Sequence, residues 1–157
     1  MRRLIDSPIG PISLFAEDGA IVGLYFGEKP DDLFEDSSQK SVLDLCEREL
    51  AEYFAGNLQQ FTVPIRLKGT AFRQQVWQAL TQIPYGKTVS YKDIAVQINS
   101  PKAVRAVGGA NHNNPVSIIV PCHRVVGANG SLTGYGGGLD AKKWLLELEA
   151  KSWQIQI

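Results

Sequence analysis

The stretch SYKDIAVQINSPKAVRAVGGA, residues 90–110, predicts two short helices joined by a tight turn. Ser90 begins a capping-box-like start of the first helix, with Asp where Glu or Gln is usual. Ser100 is expected to cap a second helix over residues 102–110, with Pro101 at its first position. Two short helices joined by a three-residue turn match a helix-turn-helix.

The second of these helices has very little side-chain bulk. Each glycine costs a helix about 0.8–1 kcal/mol relative to alanine, so a run of small residues needs a reason. One reason is tight packing inside the protein. The other is close approach to a DNA groove, with Arg105 and Asn111 at the working edge. Small residues favour the minor groove, where Arg105 could also wedge into the base stack. The small residues are Ala103, Ala106, Gly108, Gly109 and Ala110.

The N-terminal part predicts an antiparallel sheet followed by a helix. Strands are expected over residues 2–7, 12–17 and 20–26, with Asp18-Gly19 as a hairpin turn. Apolar residues at three-to-four spacing then predict a helix over residues 42–54. Cys46 lies in that apolar stripe, and we interpret it as a buried filler rather than as a reactive thiol.

A further helix and a buried strand complete the outline. Thr70 is expected to cap a helix over residues 71–82. The β-branched run over residues 116–120 is typical of a buried strand, and a last helix is expected from residue 140 to about residue 150.

Cys122 and His123 follow the predicted buried strand directly and form a candidate nucleophile and base. A free thiol has a pKa of about 8.5, so a neighbouring base or cation must favour the thiolate. Adjacent residues of a strand point to opposite faces. Therefore either a sharp turn follows Pro121, or a water molecule relays the proton. Glu149 is a candidate to orient the imidazole, with Glu147 as its local competitor.

Other classes of site find less support. His112, Cys122 and His123 lack the paired spacing of zinc ligands. The glycine-rich segment over residues 130–138 does not lead from a strand into a Lys-Ser/Thr helix start, which excludes a phosphate-binding loop. We interpret this segment as a loop that closes around a flat ligand, with Tyr135 as one wall.

The composition is that of a globular protein, and the charged residues are distributed unevenly along the chain. Hydrophobic residues make up 44% of the chain and charged residues 20%, with no apolar run that could span a membrane. No signal peptide is evident at the N-terminus, and a cytoplasmic location is the default. Residues 1–60 carry five Lys/Arg and twelve Asp/Glu, whereas residues 61–157 carry eleven and four. A basic C-terminal part could bind phosphates, although charge alone leaves chance asymmetry open.

The segment IVPCHRV, residues 119–125, resembles the active-site motif of the methylated-DNA–protein-cysteine methyltransferases, or O6-alkylguanine-DNA alkyltransferases. AVRAVGGA (residues 103–110) is similar to the recognition helix of that family, and Asn114-Pro115 to its hinge. SLTGYGGG (residues 131–138) and KWLLELE (residues 143–149) continue the resemblance. The strong part of the match covers residues 69–150.

The resemblance implies a fold and a division of the chain. The fold class is α/β (α+β), with a small ribonuclease-H-like antiparallel sheet and helix followed by a helical domain of winged helix-turn-helix type. The expected N-terminal domain covers residues 1–62, the connector residues 63–68, and the DNA-binding and alkyl-acceptor domain residues 69–157.

The resemblance also implies roles for individual residues. Cys122 would accept an alkyl group from O6-alkylguanine, His123 would deprotonate it through water, and Glu149 would orient His123. Asn114 would brace the turn before the reactive segment. Tyr91 would donate a proton to the departing guanine.

The implied contacts to DNA and to the flipped base extend this set. Arg105 would fill the gap left by the extruded nucleotide, and the carbonyls of Cys122 and Val125 would accept from the guanine amine. Gly136 stands where the family often has Ser or Ala, so one hydroxyl contact is missing unless a backbone amide replaces it. The implied DNA-contacting residues are Ser90, Tyr91, Arg105, Ala106, Gly108, Gly109 and Asn111. The implied pocket residues are Tyr91, Val125, Tyr135, Gly136 and Gly137.

The implied partner is double-stranded DNA containing O6-alkylguanine, bound by a monomer through the minor groove without a cofactor or metal. Repair of O4-alkylthymine and cooperative binding stay open. Three other functions compete: a non-catalytic lesion-binding relative, a helix-turn-helix transcription factor, and a thiol hydrolase. The first carries Trp in place of the nucleophile, the second does not need Cys122, His123 and Glu149 together, and the third would turn over.

Overall fold

The computed structural model describes residues 2–28, 37–128, 130 and 138–155. The strands and helices are β1 (Arg2–Ile5), β2 (Ile12–Glu17), β3 (Ala20–Phe26), α1 (Lys40–Phe54), α2 (Ala71–Leu80), β4 (Val89–Ser90), α3 (Tyr91–Gln97), α4 (Val104–His112), β5 (Val125–Val126) and α5 (Leu139–Ile155). Short 3₁₀ turns at Ser37–Gln39 and Cys122–Arg124 precede α1 and β5.

The N-terminal strands form the expected antiparallel sheet in the order β1-β2-β3. Asp18 and Gly19 have φ values of 49° and 78°, as the tight hairpin between β2 and β3 requires. The first strand is shorter than predicted. It ends at Ile5 because the Ser7 hydroxyl accepts from the Ile9 amide at 3.2 Å and donates to the Gly10 carbonyl at 2.6 Å, which closes a turn.

Helix α1 covers this sheet with the apolar stripe that its spacing predicts. Cys46 is fully buried within that stripe, and burial raises the pKa of its thiol to about 12. Its interpretation as a structural filler is therefore confirmed.

The outer edge of β3 pairs with the connector that follows α1 and with a segment of the C-terminal half. The Ile21 amide donates to the Pro64 carbonyl at 2.8 Å, and the Arg66 amide donates to the Ile21 carbonyl at 2.9 Å. Further along, the Leu24 amide donates to the Pro115 carbonyl at 2.8 Å. These bonds close an otherwise open sheet edge and fix the segment before Cys122 on the N-terminal sheet.

Glu49 holds the connector against α1. Its buried carboxylate accepts from the amides of Thr62 and Val63 at 3.0 and 2.8 Å and from the Thr62 hydroxyl at 2.7 Å. A buried carboxylate needs such donors to offset its lost hydration. The chain therefore leaves α1 along one defined path.

Helices α2 and α4 pack closely against each other. Thr70 caps α2 as predicted, because its hydroxyl accepts from the Arg73 amide at 3.2 Å. The indole of Trp77 is buried and donates to the Ala110 carbonyl at 2.8 Å. Gly69 is required here, since a Cβ atom at this position would lie 2.6 Å from the Trp77 ring.

The helix-turn-helix prediction is correct for its first helix and needs correction at the second. Ser90 and Asp93 form the predicted capping box at the start of α3. Helix α4, however, begins at Val104, without a side-chain cap. The Ala103 amide donates to the Ser100 carbonyl at 2.9 Å, so Ser100 and Pro101 belong to a β-turn. The fixed φ of proline suits the second position of such a turn as well as it suits a helix start.

The fold class is as expected: an antiparallel sheet with a helix, followed by a helical part. One hydrophobic core is shared by the sheet, α1 and the C-terminal helices. In the described part of the chain, no helix combines the length and apolar character that crossing a membrane requires.

Candidate active site

The segment over residues 116–120 is buried as predicted, but it is a turn rather than a strand. The Val120 amide donates back to the Val116 carbonyl at 3.0 Å. Ile118 has a φ of 73°, a left-handed conformation that is rare for a β-branched residue. Strained backbone of this kind persists only where the surrounding structure imposes it, and such residues cluster at functional sites.

Asn114 imposes this turn from inside. Its side-chain amide donates to the Val120 carbonyl at 2.8 Å, and its carbonyl oxygen accepts from the Val116 amide at 3.0 Å. One buried side chain thus holds both ends of the turn that leads to Cys122.

Cys122 begins a 3₁₀ turn that the Arg124 amide closes by donating to the Pro121 carbonyl at 3.0 Å. A sharp turn therefore follows Pro121, but it does not bring Nδ1 of His123 into a hydrogen bond with any described residue, Cys122 included. The side chain is only 3% exposed, and burial raises the pKa of the thiol. The polar side chains of Asn114 and Ser117 and the charge of Lys142 act in the opposite direction.

His123 is fully buried, and its Nε2 lies 2.6 Å from Oε2 of Glu149. Because an ionised carboxylate can only accept, Nε2 carries the hydrogen. Burial lowers the pKa of His123 despite the opposing effect of Glu149, so the ring is neutral at pH 7. Nδ1 then holds a lone pair, and it has no hydrogen-bond partner among the described residues.

Glu149 is the centre of a buried polar network. Besides His123, its carboxylate accepts from the Tyr53 hydroxyl at 2.6 Å and from Arg124 Nε and Nη2 at 2.8 and 3.0 Å. Burial alone would raise the pKa of Glu149, but His123 and Arg124 outweigh it and lower the pKa to about 2. Glu147, the competing carboxylate, lies on the exposed side of α5.

Lys142 brings a second cation to the site. Its side chain is fully buried, and Nζ donates to the Val125 carbonyl at 2.6 Å. Burial lowers the pKa of Lys142, and the nearby Cys122 sulfur opposes this. A cation held beside the thiol favours the thiolate form.

Sequence reasoning missed three members of this site, Tyr53, Arg124 and Lys142. Arg124 stands in an apolar run, and a buried arginine requires a carboxylate partner, so a signal was present. Lys142 shares the helical spacing of Leu145 and Glu149 on the buried face of α5. Tyr53 is 96 positions away from Glu149 in the sequence, so residue spacing could not indicate their hydrogen bond.

The exposed face of α4 contains three of the seven residues expected to contact DNA. Arg105, Ala106 and Gly109 are exposed, and a Cβ atom at Gly109 would meet open space. A Cβ atom at Gly108 would lie 3.9 Å from the ring of Tyr91. That is an ordinary van der Waals contact, so packing among the described residues requires glycine at neither position 108 nor position 109.

Asn111 does not lie at the exposed edge of α4, and that expectation is wrong. Its side chain is 2% exposed and donates to the Cys122 carbonyl at 3.3 Å. The reason is helical periodicity: Asn111 follows the buried Val107 by one turn, so both residues face inward.

The remaining predicted residues have simple outcomes. Val125 is buried in β5, next to the reactive turn. Tyr135, Gly136 and Gly137 lie outside the described residues. Within the described ranges, no group of three His, Cys, Asp or Glu side chains is arranged to hold a metal ion.

Two family models together match nearly the whole chain. Residues 1–67 match the ribonuclease-like domain of 6-O-methylguanine DNA methyltransferase, and residues 71–151 match its DNA-binding domain. The methylated-DNA–protein-cysteine methyltransferase of Mycobacterium tuberculosis is 50% identical over 152 residues, which cover 94% of this chain and 90% of that protein. The protein of the same name from Methanosarcina barkeri is 47% identical and covers 93% of this chain and 94% of its own.

Solved structures agree with these matches. The crystal structure of M. tuberculosis OGT in complex with DNA superposes with a TM-score of 0.86 at 49% identity, and covers 96% of this chain and 93% of that chain. An O6-methylguanine DNA methyltransferase from Methanococcus jannaschii gives a TM-score of 0.70 at 32% identity, and covers 94% and 93% of the two chains.

Replacing Lys142 by Met should slow alkylation of Cys122 by iodoacetamide at pH 7 by roughly 10-fold, because loss of a neighbouring cation raises a thiol pKa by about one unit. The measurement is the rate of Cys122 modification against pH, followed by peptide mass spectrometry. Lys143→Met is the matched control, since Lys143 is exposed on the same helix. Identical pH profiles for the two variants would show that Lys142 does not favour the thiolate of Cys122.

The Glu149 network should make stability fall in acid. The pKa of Glu149 lies below its ordinary value, so its contribution is complete above about pH 4.5 and is lost as the pH falls towards 2. We measure the free energy of unfolding in urea at pH 7 and at pH 3. Its decrease between these two pH values should be roughly 2 kcal/mol smaller for Glu149→Gln than for the parent protein. The buried His123, whose pKa burial lowers, adds a further loss as the pH falls below 6.5, and Glu149 limits this loss in the parent protein because it raises the His123 pKa. Glu147→Gln should behave like the parent; an unchanged acid sensitivity of Glu149→Gln would contradict the network.

Proposed function

The chain belongs to the 6-O-methylguanine DNA methyltransferase family and is a DNA-repair methyltransferase, and we propose that the sulfur of Cys122 accepts the alkyl group. The observation that carries this proposal is the buried arrangement of Cys122, His123 and Glu149. The residue after Cys122 is a buried imidazole with a lowered pKa, which the Glu149 carboxylate holds in the tautomer that can accept a proton at Nδ1.

The first step is removal of the thiol proton. Nδ1 of His123 is the acceptor nitrogen, and we keep the prediction that a water molecule relays the proton to it. The resulting imidazolium is stabilised by the Glu149 carboxylate at 2.6 Å. Lys142 favours the thiolate of Cys122 that remains. Transfer of one proton from sulfur to nitrogen thus converts a buried neutral pair into a buried ion pair that the site already stabilises.

The second step is a direct displacement. The thiolate attacks the alkyl carbon, a C–S bond forms as the C–O6 bond breaks, and the electron pair leaves with guanine. Tyr91, at the start of α3, donates the proton that makes guanine a neutral leaving group. The product is a thioether, which water cannot hydrolyse at a useful rate. Each protein molecule therefore acts once, and the reaction needs no cofactor.

DNA reaches the site through the exposed face of α4. An alkyl group inside a stacked duplex is out of reach, so the nucleotide must rotate out, at a cost of a few kcal/mol. Arg105 is exposed on α4 and is suited to occupy the vacated space. The open space in front of Gly109 supports close approach to the minor groove. Ser90, Ala106 and Gly108 complete the proposed DNA-contacting surface.

Three further points belong to the proposal. The division into residues 1–62, 63–68 and 69–157 is supported by family models that meet between residues 67 and 71. A cytoplasmic location is supported by the need for Cys122 as a reduced thiol. Binding of DNA as a monomer is the third point that we propose.

The decisive test is intact-protein mass spectrometry after incubation with a duplex that contains one O6-methylguanine. We expect a gain of one CH₂ mass that maps to Cys122 and saturates at one per protein. Cys122→Ser and an unmodified duplex are the controls. Lesion binding without a mass gain would favour a non-catalytic lesion-binding protein. Repeated turnover would favour a hydrolase, and sequence-specific binding that survives Cys122→Ser without transfer would favour a transcription factor.

Replacing Gly109 by Ala tests the DNA-facing surface separately from the chemistry. The new methyl group meets open space, so the helix should gain about 0.8–1 kcal/mol of stability. Affinity for duplex DNA should nevertheless fall by roughly 3- to 10-fold, because the methyl group holds the helix away from the groove. Thermal unfolding and fluorescence anisotropy measure the two effects. Gln78→Ala, on the exposed side of α2, is the control. Unchanged or tighter binding by Gly109→Ala would contradict the proposal that this face of α4 contacts DNA.

A further inference from the structure

The carboxylate of Glu149 is crowded on one of its two oxygens. Oε2 accepts from the Tyr53 hydroxyl at 2.6 Å, from Nε2 of His123 at 2.6 Å and from Nη2 of Arg124 at 3.0 Å. Oε1 accepts from Arg124 Nε at 2.8 Å and, over a longer distance, from the Gly86 amide at 3.4 Å. A carboxylate oxygen offers about two lone pairs, so the three donors on Oε2 compete for them. The hydrogen bond that orients His123 is therefore shared with a residue of α1.

Tyr53 stays a donor throughout this competition. Its side chain is fully buried, and burial together with the charge of Glu149 raises the pKa of its hydroxyl well above the ordinary value. The hydroxyl therefore keeps its proton at every pH at which His123 titrates. Because an ionised carboxylate can only accept, this proton lies on the bond to Oε2. The hydroxyl and the imidazole are the two closest donors on that oxygen, at equal distances of 2.6 Å.

The number of donors on Oε2 affects how basic the imidazole of His123 is. Each hydrogen bond that a carboxylate accepts lowers its own basicity, and a less basic carboxylate stabilises a neighbouring imidazolium less. In agreement with this, the pKa of Glu149 is lowered to about 2, and Glu149 does not overcome the effect of burial, which lowers the pKa of His123. A less basic imidazole takes the proton of Cys122 less readily, so less thiolate is present in the resting protein.

We propose that Tyr53 is a positioning residue for alkyl transfer, whose hydroxyl competes with His123 for Oε2 of Glu149 and thereby limits proton transfer from Cys122 to His123 in the resting protein. This inference rests on the proposed function, since it concerns the same nucleophile and base. Tyr53 acts through Glu149 and not on the reacting atoms. A nucleophile that is used only once gains from this restraint, because the thiolate is the form that other electrophiles consume.

The other ionisable groups that act on the imidazole come from two elements. Glu149 and Lys142 act from α5, and Arg124 acts from the turn of His123 itself, which begins at Cys122. Helix α2 also packs against this turn, and its buried residues are not ionisable: Val76, Trp77, Ala79 and Leu80. Removing the hydroxyl on α1 leaves all of these groups in place, so a change in the titration of the imidazole reports on the competition at Oε2.

The test replaces Tyr53 by Phe, which removes the competing hydroxyl and keeps the ring. The chain has two histidines, so selective ¹³C labelling of histidine gives two ring signals in an NMR titration of the free protein. The titration midpoint of His123 should move up by roughly 0.5–1 pH unit, which corresponds to one hydrogen bond. His112, exposed at the end of α4, is the internal reference, and its midpoint should not move.

The same variant should have a more reactive thiol. Alkylation of Cys122 by iodoacetamide, followed by peptide mass spectrometry, should be roughly 3- to 10-fold faster above the His123 midpoint, because a more basic imidazole increases the share of thiolate. Below the midpoint the rates of Tyr53→Phe and the parent protein should converge, since His123 is protonated in both. A merely structural role of Tyr53 would change the rate by the same factor at every pH.

Tyr85→Phe is the matched control, because the Tyr85 hydroxyl is buried next to Tyr53, with 6.2 Å between the ring centroids, and makes no hydrogen bond to Glu149. It should leave the His123 midpoint unchanged. Tyr53→3-fluorotyrosine, introduced at this position alone, provides a stronger donor of nearly the same size and should move the midpoint down. An unchanged or lower midpoint in Tyr53→Phe would overturn the proposal. If that variant fails to fold, a midpoint of the 3-fluorotyrosine protein at or above that of the parent would overturn it.

Failure of this inference and failure of the proposed function are distinguishable. The histidine titration uses the free protein and requires no DNA, whereas methyl transfer to Cys122 from an O6-methylguanine duplex is measured separately on the parent protein. No transfer, together with the expected shift of His123, would overturn the proposed function and leave the competition at Oε2 intact. Transfer together with an unmoved His123 midpoint in Tyr53→Phe would overturn the role of Tyr53 alone.

Discussion

The buried carboxylate of Glu149 is the interaction on which the site depends. Removing a carboxylate from water costs several kcal/mol unless donors surround it, and an incomplete set of donors leaves most of that cost in place. Here the donors come from two separate parts of the chain, Tyr53 on α1 and His123 and Arg124 on the turn that begins at Cys122. All of them bond to a residue of α5. The network forms completely only when α1 has docked on the C-terminal helices. The N-terminal part is therefore a structural component of the site, although it contains no reacting group.

The same network explains how a single-use nucleophile can stay intact until its substrate arrives. Arg124 balances the charge of Glu149, and burial keeps His123 neutral. Burial also raises the pKa of Cys122, so the resting thiol keeps its proton and reacts slowly with small electrophiles. The basic Nδ1 and the cation of Lys142 become useful when an alkyl group is placed against the sulfur. Reactivity is thus tied to occupancy of the site rather than to a permanently ionised thiol.

The sequence predicted the elements whose signals are local. The hairpin turn at Asp18-Gly19, the apolar stripe of α1 and the capping box at Ser90 each depend on neighbours within a few residues. The strand predicted before Cys122 was wrong because a short apolar run fits a buried strand and a buried turn equally well. What decides between them is Asn114, whose two bonds follow from tertiary position. The partnership of Tyr53 with Glu149 spans most of the chain, so spacing could not reveal it.

Helix α4 joins the proposed DNA-binding surface to the chemistry through its two faces. Arg105 and Gly109 are exposed, whereas the side chain of Asn111 is buried and donates to the carbonyl of Cys122. Just beyond the helix, Asn114 holds the turn that leads to the same cysteine. Because interiors are close-packed and deform little, a helix seated in a groove fixes the sulfur at a set depth from that groove. In the proposed complex, the flipped base is then placed by the docking of the same helix that bonds to the Cys122 carbonyl. In this proposal, binding of the duplex and positioning of the nucleophile depend on two faces of one helix.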